Sequence, residues 1–254
     1  MVIDSRLSVK RLDSTPQAVY TFRTSLCCPV ETMRFDLHIH THRSPDSLMQ
    51  PDEVIKAALR RGLDGVAITD HNTLEGALEV GAVAPIPVIV GEEIRTTEGE
   101  IIGLFLSRPI PPRLSPEETV AAIREQGGIV YIPHPFDHYR REAMGRRTLE
   151  RIIDGVDAIE VFNARTLIPQ DNALAREIAQ ARGLAMGAGS DAHTPYEVGR
   201  AYVEIEPFHN AVSFLTALRR GQVAGELSTP FIHALTTLIK LCRPVAGRCT
   251  RAFR

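Results

Sequence analysis

Asp36-Leu37-His38-Ile39-His40 joins a strand-like alternation to three polar side chains, and the reading of the chain turns on it. Successive side chains of a strand point to opposite faces, so His38 and His40 project to one side, and strict alternation puts Asp36 there too. Two imidazoles on one strand face can bind a metal ion together. The carboxylate two residues earlier is either a further ligand or a group that orients one ring. An HxH pair alone describes two surface histidines equally well, so the rest of the chain decides.

Four further segments share this setting. Thr69-Asp70-His71-Asn72-Thr73 comes at the end of the expected strand Gly65–Thr69, and Gly91-Glu92-Glu93 follows Val88–Val90. Pro133-His134-Pro135 follows Ile129–Ile132, and Gly189-Ser190-Asp191-Ala192-His193 follows Leu184–Ala188. The carboxyl ends of strands are where α/β proteins build their sites. Five of the nine histidines (His38, His40, His71, His134 and His193) stand at such ends. Together they predict a polynuclear metal site. Imidazole and carboxylate ligands suit Zn, Mn or Fe, and carboxylate bridging suits paired ions.

Helical patterns separate the apolar runs. They are expected over Pro51–Arg61, about Thr73–Glu79, Ser115–Gln126, around Thr148–Asp154, Asp171–Arg182 and Asn210–Arg220. Pro51 with acids behind it opens the first, Ser115 and Glu118 form a capping box for the third, and Gly127-Gly128 stops it. Glu100–Leu106, Ala158–Phe162 and Ala201–Ile205 complete the expected strands. This alternation predicts a mainly parallel α/β sheet or barrel.

The 254 residues suit one large α/β domain or two small ones. The domain is expected over 34–226. Residues 1–33 read as a peripheral extension and a candidate for disorder, with Met33 a candidate alternative start. Residues 227–254 read as a C-terminal helix, at 231–241, and a basic tail carrying Arg243, Arg248, Arg251 and Arg254. A net charge of -2 gives no global field toward nucleic acid, and 6% aromatic residues without Trp argue against a platform that stacks bases. Cys27, Cys28, Cys242 and Cys249 have poor spacing for zinc and read as free thiols of a reducing, cytoplasmic setting. No run of 18 apolar residues is present, so no membrane span is expected.

In their order along the chain these motifs resemble the PHP (polymerase and histidinol phosphatase) superfamily, from about Arg34 to about Glu226. The resemblance implies a distorted seven-stranded β/α barrel with a trinuclear metal centre at the carboxyl ends of its strands, and in many members phosphoesterase activity. It implies that His38, His40, Glu93 and Asp191 hold one metal. Glu93 bridges to a second, which His134 also binds, and Asp46, His71 and His193 hold a third. Asp46 stands in Ser44-Pro45-Asp46-Ser47, which resembles the family's acidic turn. Glu92 is the register alternative to Glu93. Asp36 and Asp70 are expected to orient ligands. Glu100 stands where many relatives carry His, as a possible further ligand. The helical subdomain that some nucleotide-hydrolysing relatives insert after the second strand is missing, which implies a more open site.

Two or three divalent ions (Zn, Mn, Fe or Mg) lower the pKa of bound water and neutralise phosphate oxygens. The expected function is hydrolysis of a phosphate ester of a small metabolite or nucleotide, with no side-chain acid assigned. Arg165, Asn163 and Arg200 are the candidate phosphate-binding groups, Arg165 foremost because its planar fork fits phosphate. His42, Arg43 and His138 read as solvent-facing. An exonuclease on short RNA or DNA is the rival enzyme, and a metal-stabilised structural or docking module the rival without catalysis.

Overall fold

The apolar runs between the polar segments pair into one sheet. The computed structural model describes residues 32–229 with Phe231, Ile232, Thr236 and Leu238. Its strands are β1 (Met33–Ile39), β2 (Gly65–Ile68), β3 (Val88–Arg95), β4 (Glu100–Leu104), β5 (Ile129–Ile132), β6 (Ala158–Asn163), β7 (Ala185–Gly189), β8 (Ala201–Ile205) and β9 (Gln222–Gly225). The helices are α1 (Pro51–Arg60), α2 (Glu75–Val83), α3 (Pro116–Glu125), α4 (Gly145–Ile152), α5 (Pro169–Arg182) and α6 (Ala211–Arg220). The expected capping box opens α3: Ser115 Oγ accepts from Glu118 N–H, and Ser115 N–H donates to Glu118 Oε2. Gly183, at φ +64°, ends α5 in the left-handed conformation that glycine adopts without penalty.

The strand order is β7-β6-β5-β4-β3-β2-β1-β8-β9. The end of β1 also meets the segment leaving β7. Asp191 N–H donates to His38 O (2.8 Å) and His40 N–H to Ala192 O (2.9 Å). The first seven strands thus curl into the nearly closed α/β barrel that was expected. The sheet counts nine strands rather than seven because β8 and β9 hang antiparallel on the first half of β1, with Met33 opposite Ile205. Phe35, Leu37, Ala67, Ile89, Ile102, Tyr131, Ala158 and Ala185, drawn from all seven ring strands, pack in one apolar cluster that fills the inside of the barrel. Tyr131 needs Gly187 opposite it, where a Cβ would lie 2.4 Å from the ring. The outward faces of β2 and β5 are covered by α1 with α2 and by α3 with α4, respectively.

Two local features differ from the expected alternation. β3 does not stop at Val90 but continues through Glu92 and Glu93 to Arg95, then folds back on β4. The turn is closed by Thr96, whose N–H and Oγ1–H both donate to Gly99 O (2.9 and 2.7 Å), with Gly99 at φ +100°. So tight a connection can only make an antiparallel pair, since a parallel one needs a crossover. β4 is therefore antiparallel to both neighbours in an otherwise parallel ring.

The second difference is in β1. Asp36 pairs with Val66 and Ile39 with Ile68, so three steps of β1 stand against two of β2. This bulge takes Asp36 off the face it would share with His38. Its carboxylate instead accepts from Ser190 N–H (2.9 Å), Ser190 Oγ–H, Gly199 N–H (2.9 Å) and His38 N–H (3.3 Å). Asp36 is thus the polar rivet of the seam between β1 and the chain beyond β7. Burial pushes its carboxyl up to about 6 against the lowering effect of those hydrogen bonds.

Of the expected outer segments, residues 1–31, most of 231–241, the basic tail and all four cysteines lie outside the described residues. Phe231, Ile232, Thr236 and Leu238 are helical. No helix among the described residues is long and apolar enough to cross a membrane.

Replacing Asp36 with Ala leaves the buried seam donors of Ser190 and Gly199 without an acceptor. Urea denaturation should show a loss of about 2–3 kcal/mol, and a variant as stable as the parent would contradict the role assigned to this carboxylate.

Candidate metal centre

Glu93 occupies the middle of the site because β3 continues past Val90. The strand's alternation turns Glu93 toward the imidazoles and Glu92 away from them. Glu92 accepts from Ile110 N–H (2.9 Å), and burial pushes its carboxyl up to about 7. Each oxygen of Glu93 faces two imidazoles. Oε1 lies 3.0 Å from His134 Nε2 and 3.5 Å from His38 Nε2. Oε2 lies 2.9 Å from His71 Nδ1 and 3.4 Å from His40 Nε2. The ends of β1, β2 and β5 are thereby brought onto one carboxylate of β3.

The remaining expected residues join on either side. Asp191 Oδ1 lies 3.4 Å from His40 Nε2 and 3.7 Å from His38 Nε2. Asp46 Oδ2 lies 3.2 Å from His193 Nε2 and 3.6 Å from His71 Nε2. Glu100 Oε1 stands 3.8 Å from His71 Nδ1. Donor atoms of His40, His71 and His193 lie within 4.8 Å of one another. So do those of His38, His134 and Asp191, of His38, His40 and Glu93, and of His71, Glu93 and Glu100. His134 and Asp191 take left-handed backbone conformations, φ +27° and +54°, which L-residues rarely hold outside sites the fold over-determines.

The partners behind the rings direct His38 and His40 at the centre. His38 Nδ1 is 3.1 Å from Glu160 Oε1, which can only accept from it. His40 Nδ1 is 3.0 Å from Ser44 Oγ, whose own proton goes to Asp70 Oδ1 (2.6 Å). Both rings thus have a partner for an Nδ1–H, and their Nε2 atoms face each other at 3.0 Å. Two ring nitrogens at that distance need a proton or a metal ion between them. The buried Glu93 Oε2 and Asp191 Oδ1 have no hydrogen-bond donor. Electrostatics agree. Burial opposes a charge on His38, but Asp191, Glu160 and Glu93 raise its ring well above the ordinary value. Burial, His193 and His71 lower His40 to about 4. Glu100 is pushed up to about 8 by burial and by Glu93. A buried set of imidazole and carboxylate donors converging on one centre fits divalent ions.

Asp70 lies behind His40, accepting from Ser44 Oγ–H and from Thr41 N–H (2.7 Å). Asp36 holds backbone at the seam and touches no ring. Glu160 was not singled out among the candidate residues. It is fully buried and takes His38 Nδ1, His134 N–H (2.8 Å) and Asn163 Nδ2 (2.9 Å). The available signal is a lone carboxylate inside the apolar run Ala158–Phe162.

The centre opens into a cavity of about 500 Å³, whose wall includes Arg95, Arg140, Arg165, Tyr139, Glu142 and Thr236. Of the expected phosphate groups, only Arg165 lines it. Asn163 is fully buried, its amide directed at Glu160 and Asp191 Oδ2 (3.2 Å), so it braces the ligands. Arg200 turns to Leu227 O (3.3 Å) and Glu226 (3.3 Å), away from the cavity. Arg140, on the irregular loop after β5, was not among the expected groups; it pairs with Asp137 (3.2 Å) and Asp191. His138 is exposed and pairs with Asp171, and Arg43 pairs with Glu75 and Glu79.

The PHP domain model matches residues 36–132, and that of the PHP-associated family matches residues 169–223. An uncharacterized protein of Methanocaldococcus jannaschii is 46% identical over 145 residues, spanning 52% of this chain and 82% of the relative. A Haemophilus influenzae 5'-3' exoribonuclease is 30% identical over 132 residues, spanning 46% of this chain and 48% of the relative. A two-domain protein from Bacteroides vulgatus containing a predicted PHP-like metal-dependent phosphoesterase superposes with a TM-score of 0.61 at 20% identity, covering 82% of this chain and 70% of that one. This last likeness is one of fold.

If Glu160 sets the His38 tautomer, Glu160→Gln should weaken divalent-ion binding to the metal-free protein about tenfold or more, since groups behind metal ligands commonly contribute that much. Calorimetric titration reads this directly, and unchanged affinity would remove Glu160 from the centre.

Proposed function

The chain belongs to the PHP family, and from that premise we propose that it is a metal-dependent phosphoesterase hydrolysing a phosphate ester of a small metabolite or nucleotide. The observation that carries the reading is Glu93, a buried carboxylate with two imidazoles on each oxygen, one of which, His71, lines an arginine-walled cavity. The proposed ligands are His38, His40, Glu93 and Asp191 for one ion, Glu93 and His134 for a second, and Asp46, His71 and His193 for a third. Divalent ions held there supply Lewis acidity toward water and phosphate oxygen. The chain's own residues bind and orient. Arg165, with Arg140 and Arg95, gives the cavity wall positive charge for a phosphate. Glu160, Asp70 and Ser44 hold His38 and His40 with their Nε2 atoms toward the centre. The burial of the ligands keeps bulk water from screening these charges.

Glu100 joins this proposal as a ligand beside Glu93 and His71. A carboxylate where many relatives carry His makes that position richer in oxygen, which favours Mn over Zn. The proposed substrate is a small phosphorylated molecule in the cytoplasm. Hydrolysis of short RNA or DNA is the second reading, supported by the partial match to the exoribonuclease.

The deciding experiment loads metal-free protein with Mn, Zn, Fe or Mg and screens monoesters, diesters, nucleotides and short oligonucleotides. Monoester turnover is expected with at least one metal, together with two or more ions per chain. His40→Ala should lower the rate more than about 100-fold, a ligand being at least as important as the groups behind it. No turnover with any metal would sink the enzyme reading, and turnover of oligonucleotides alone would favour the exonuclease. In competitive metal titrations, Glu100→His should shift the Mn-to-Zn affinity ratio toward Zn by about tenfold. An unmoved ratio would exclude Glu100 from the ligands.

A further inference from the structure

We propose that Thr236 is a positioning residue, whose hydroxyl holds the Arg165 guanidinium at the cavity wall in the orientation that receives the substrate's phosphate. The inference rests on Arg165 being a phosphate contact. Arg165 is buried, and attachments reach it from two sides. On one side lie Asp191 O, 3.4 Å from Nη1, the ring of His193 and Glu197 Oε1, 3.5 Å from Nε, all from the connection between β7 and β8. On the other side, Arg165 Nη2 donates to Thr236 Oγ1 at 2.8 Å. Both residues line the cavity, and Thr236 is itself buried.

The geometry of the hydroxyl suits this task. Thr236 Oγ1–H donates to Ile232 O (3.3 Å), one helical turn earlier. This back-bond fixes the rotor and turns an oxygen lone pair toward the guanidinium. An arginine side chain loses considerable rotamer entropy when it is held, and its planar fork binds phosphate well only when its plane is set beforehand. The β7–β8 attachments reach Nη1 and Nε, and Thr236 reaches Nη2. This wall residue lies beyond residue 223, where the family-model matches end. Arg165 itself lies between the two matched regions, so the contact joins two segments that neither family model covers.

The test uses the full chain loaded with the metal chosen by the screen. Thr236→Ala and Thr236→Val remove the hydroxyl, and Thr236→Ser keeps it. Two quantities are read: the calorimetric Kd of inorganic phosphate, and KM and kcat for the best ester. We expect Ala and Val each to raise the phosphate Kd and KM about tenfold, as loss of a hydrogen bond to a charged group does. We expect kcat to stay within about twofold, because the contact serves substrate and transition state alike. Ser should restore the parent values. Unchanged Kd and KM in Ala and Val overturn the proposal. So does a joint fall of kcat and thermal midpoint that Ser does not rescue, which would mark Thr236 as merely structural. If the parent hydrolyses no ester, the phosphoesterase reading fails separately, and the phosphate Kd of parent against variants still decides the role of Thr236. A parent that binds no phosphate overturns this inference as well.

Discussion

Imidazole and carboxylate groups that converge in a buried space are the constraint on which this structure depends. Glu93 presents both oxygens to imidazole nitrogens, and His38 and His40 face each other through Nε2 at 3.0 Å. Such a cluster costs free energy in an apolar interior unless positive charge enters it. Much of the surrounding structure keeps that arrangement from relaxing. Glu160 pins one ring and the loop of another ligand, Ser44 and Asp70 pin a second ring, and Asn163 braces Asp191. The fold holds its ligands in place instead of letting them find better partners among themselves. That is the property a metal centre needs if its ions are to retain open positions for substrate.

The barrel supplies the rigidity. Its lower half is apolar, packed around Tyr131, and its upper rim is where chain segments distant in sequence end together. The antiparallel β4 distorts the ring and lets β3 run long enough to carry Glu93 inward and Glu100 across from Arg95. Without that hairpin the central carboxylate would sit on a loop, where its two oxygens could not be aimed at separate pairs of rings with the same accuracy.

Much of this was legible in the sequence because chemistry-bearing residues stand directly after runs that can only be buried strands. His38, His71, His134 and His193 were readable in that way, and the barrel followed from the alternation of runs and helical patterns. What was not legible depends on departures from regularity. The bulge in β1 removes Asp36 from the ligand face, and no local signal announces a bulge between two alternating patterns. The continuation of β3 was hidden by its glutamates, which look like a polar strand end until a partner strand is known. Glu160 was concealed inside an apolar strand, although a carboxylate in such a place must find a buried donor. Asn163 and Arg200 were read from their nearness in sequence to the rim, whereas one braces the ligands and the other turns to the sheet's outer flange. Arg140 lies on an irregular loop, where periodicity carries no information.

The seam held by Asp36 has a temporal consequence. It joins residue 36 to residues 190 and 199, so the ring cannot close until nearly the whole domain has been synthesised and its seventh strand has docked. Closing so long a loop is slow compared with forming the individual strand–helix units. His38 and His40 therefore wait beside a missing Asp191 and His193 while the chain emerges from the ribosome. A complete ion-binding pocket exists only after the last ring strand arrives, which makes metal uptake a late event in the life of the molecule and couples retention of the ions to the integrity of that single closure.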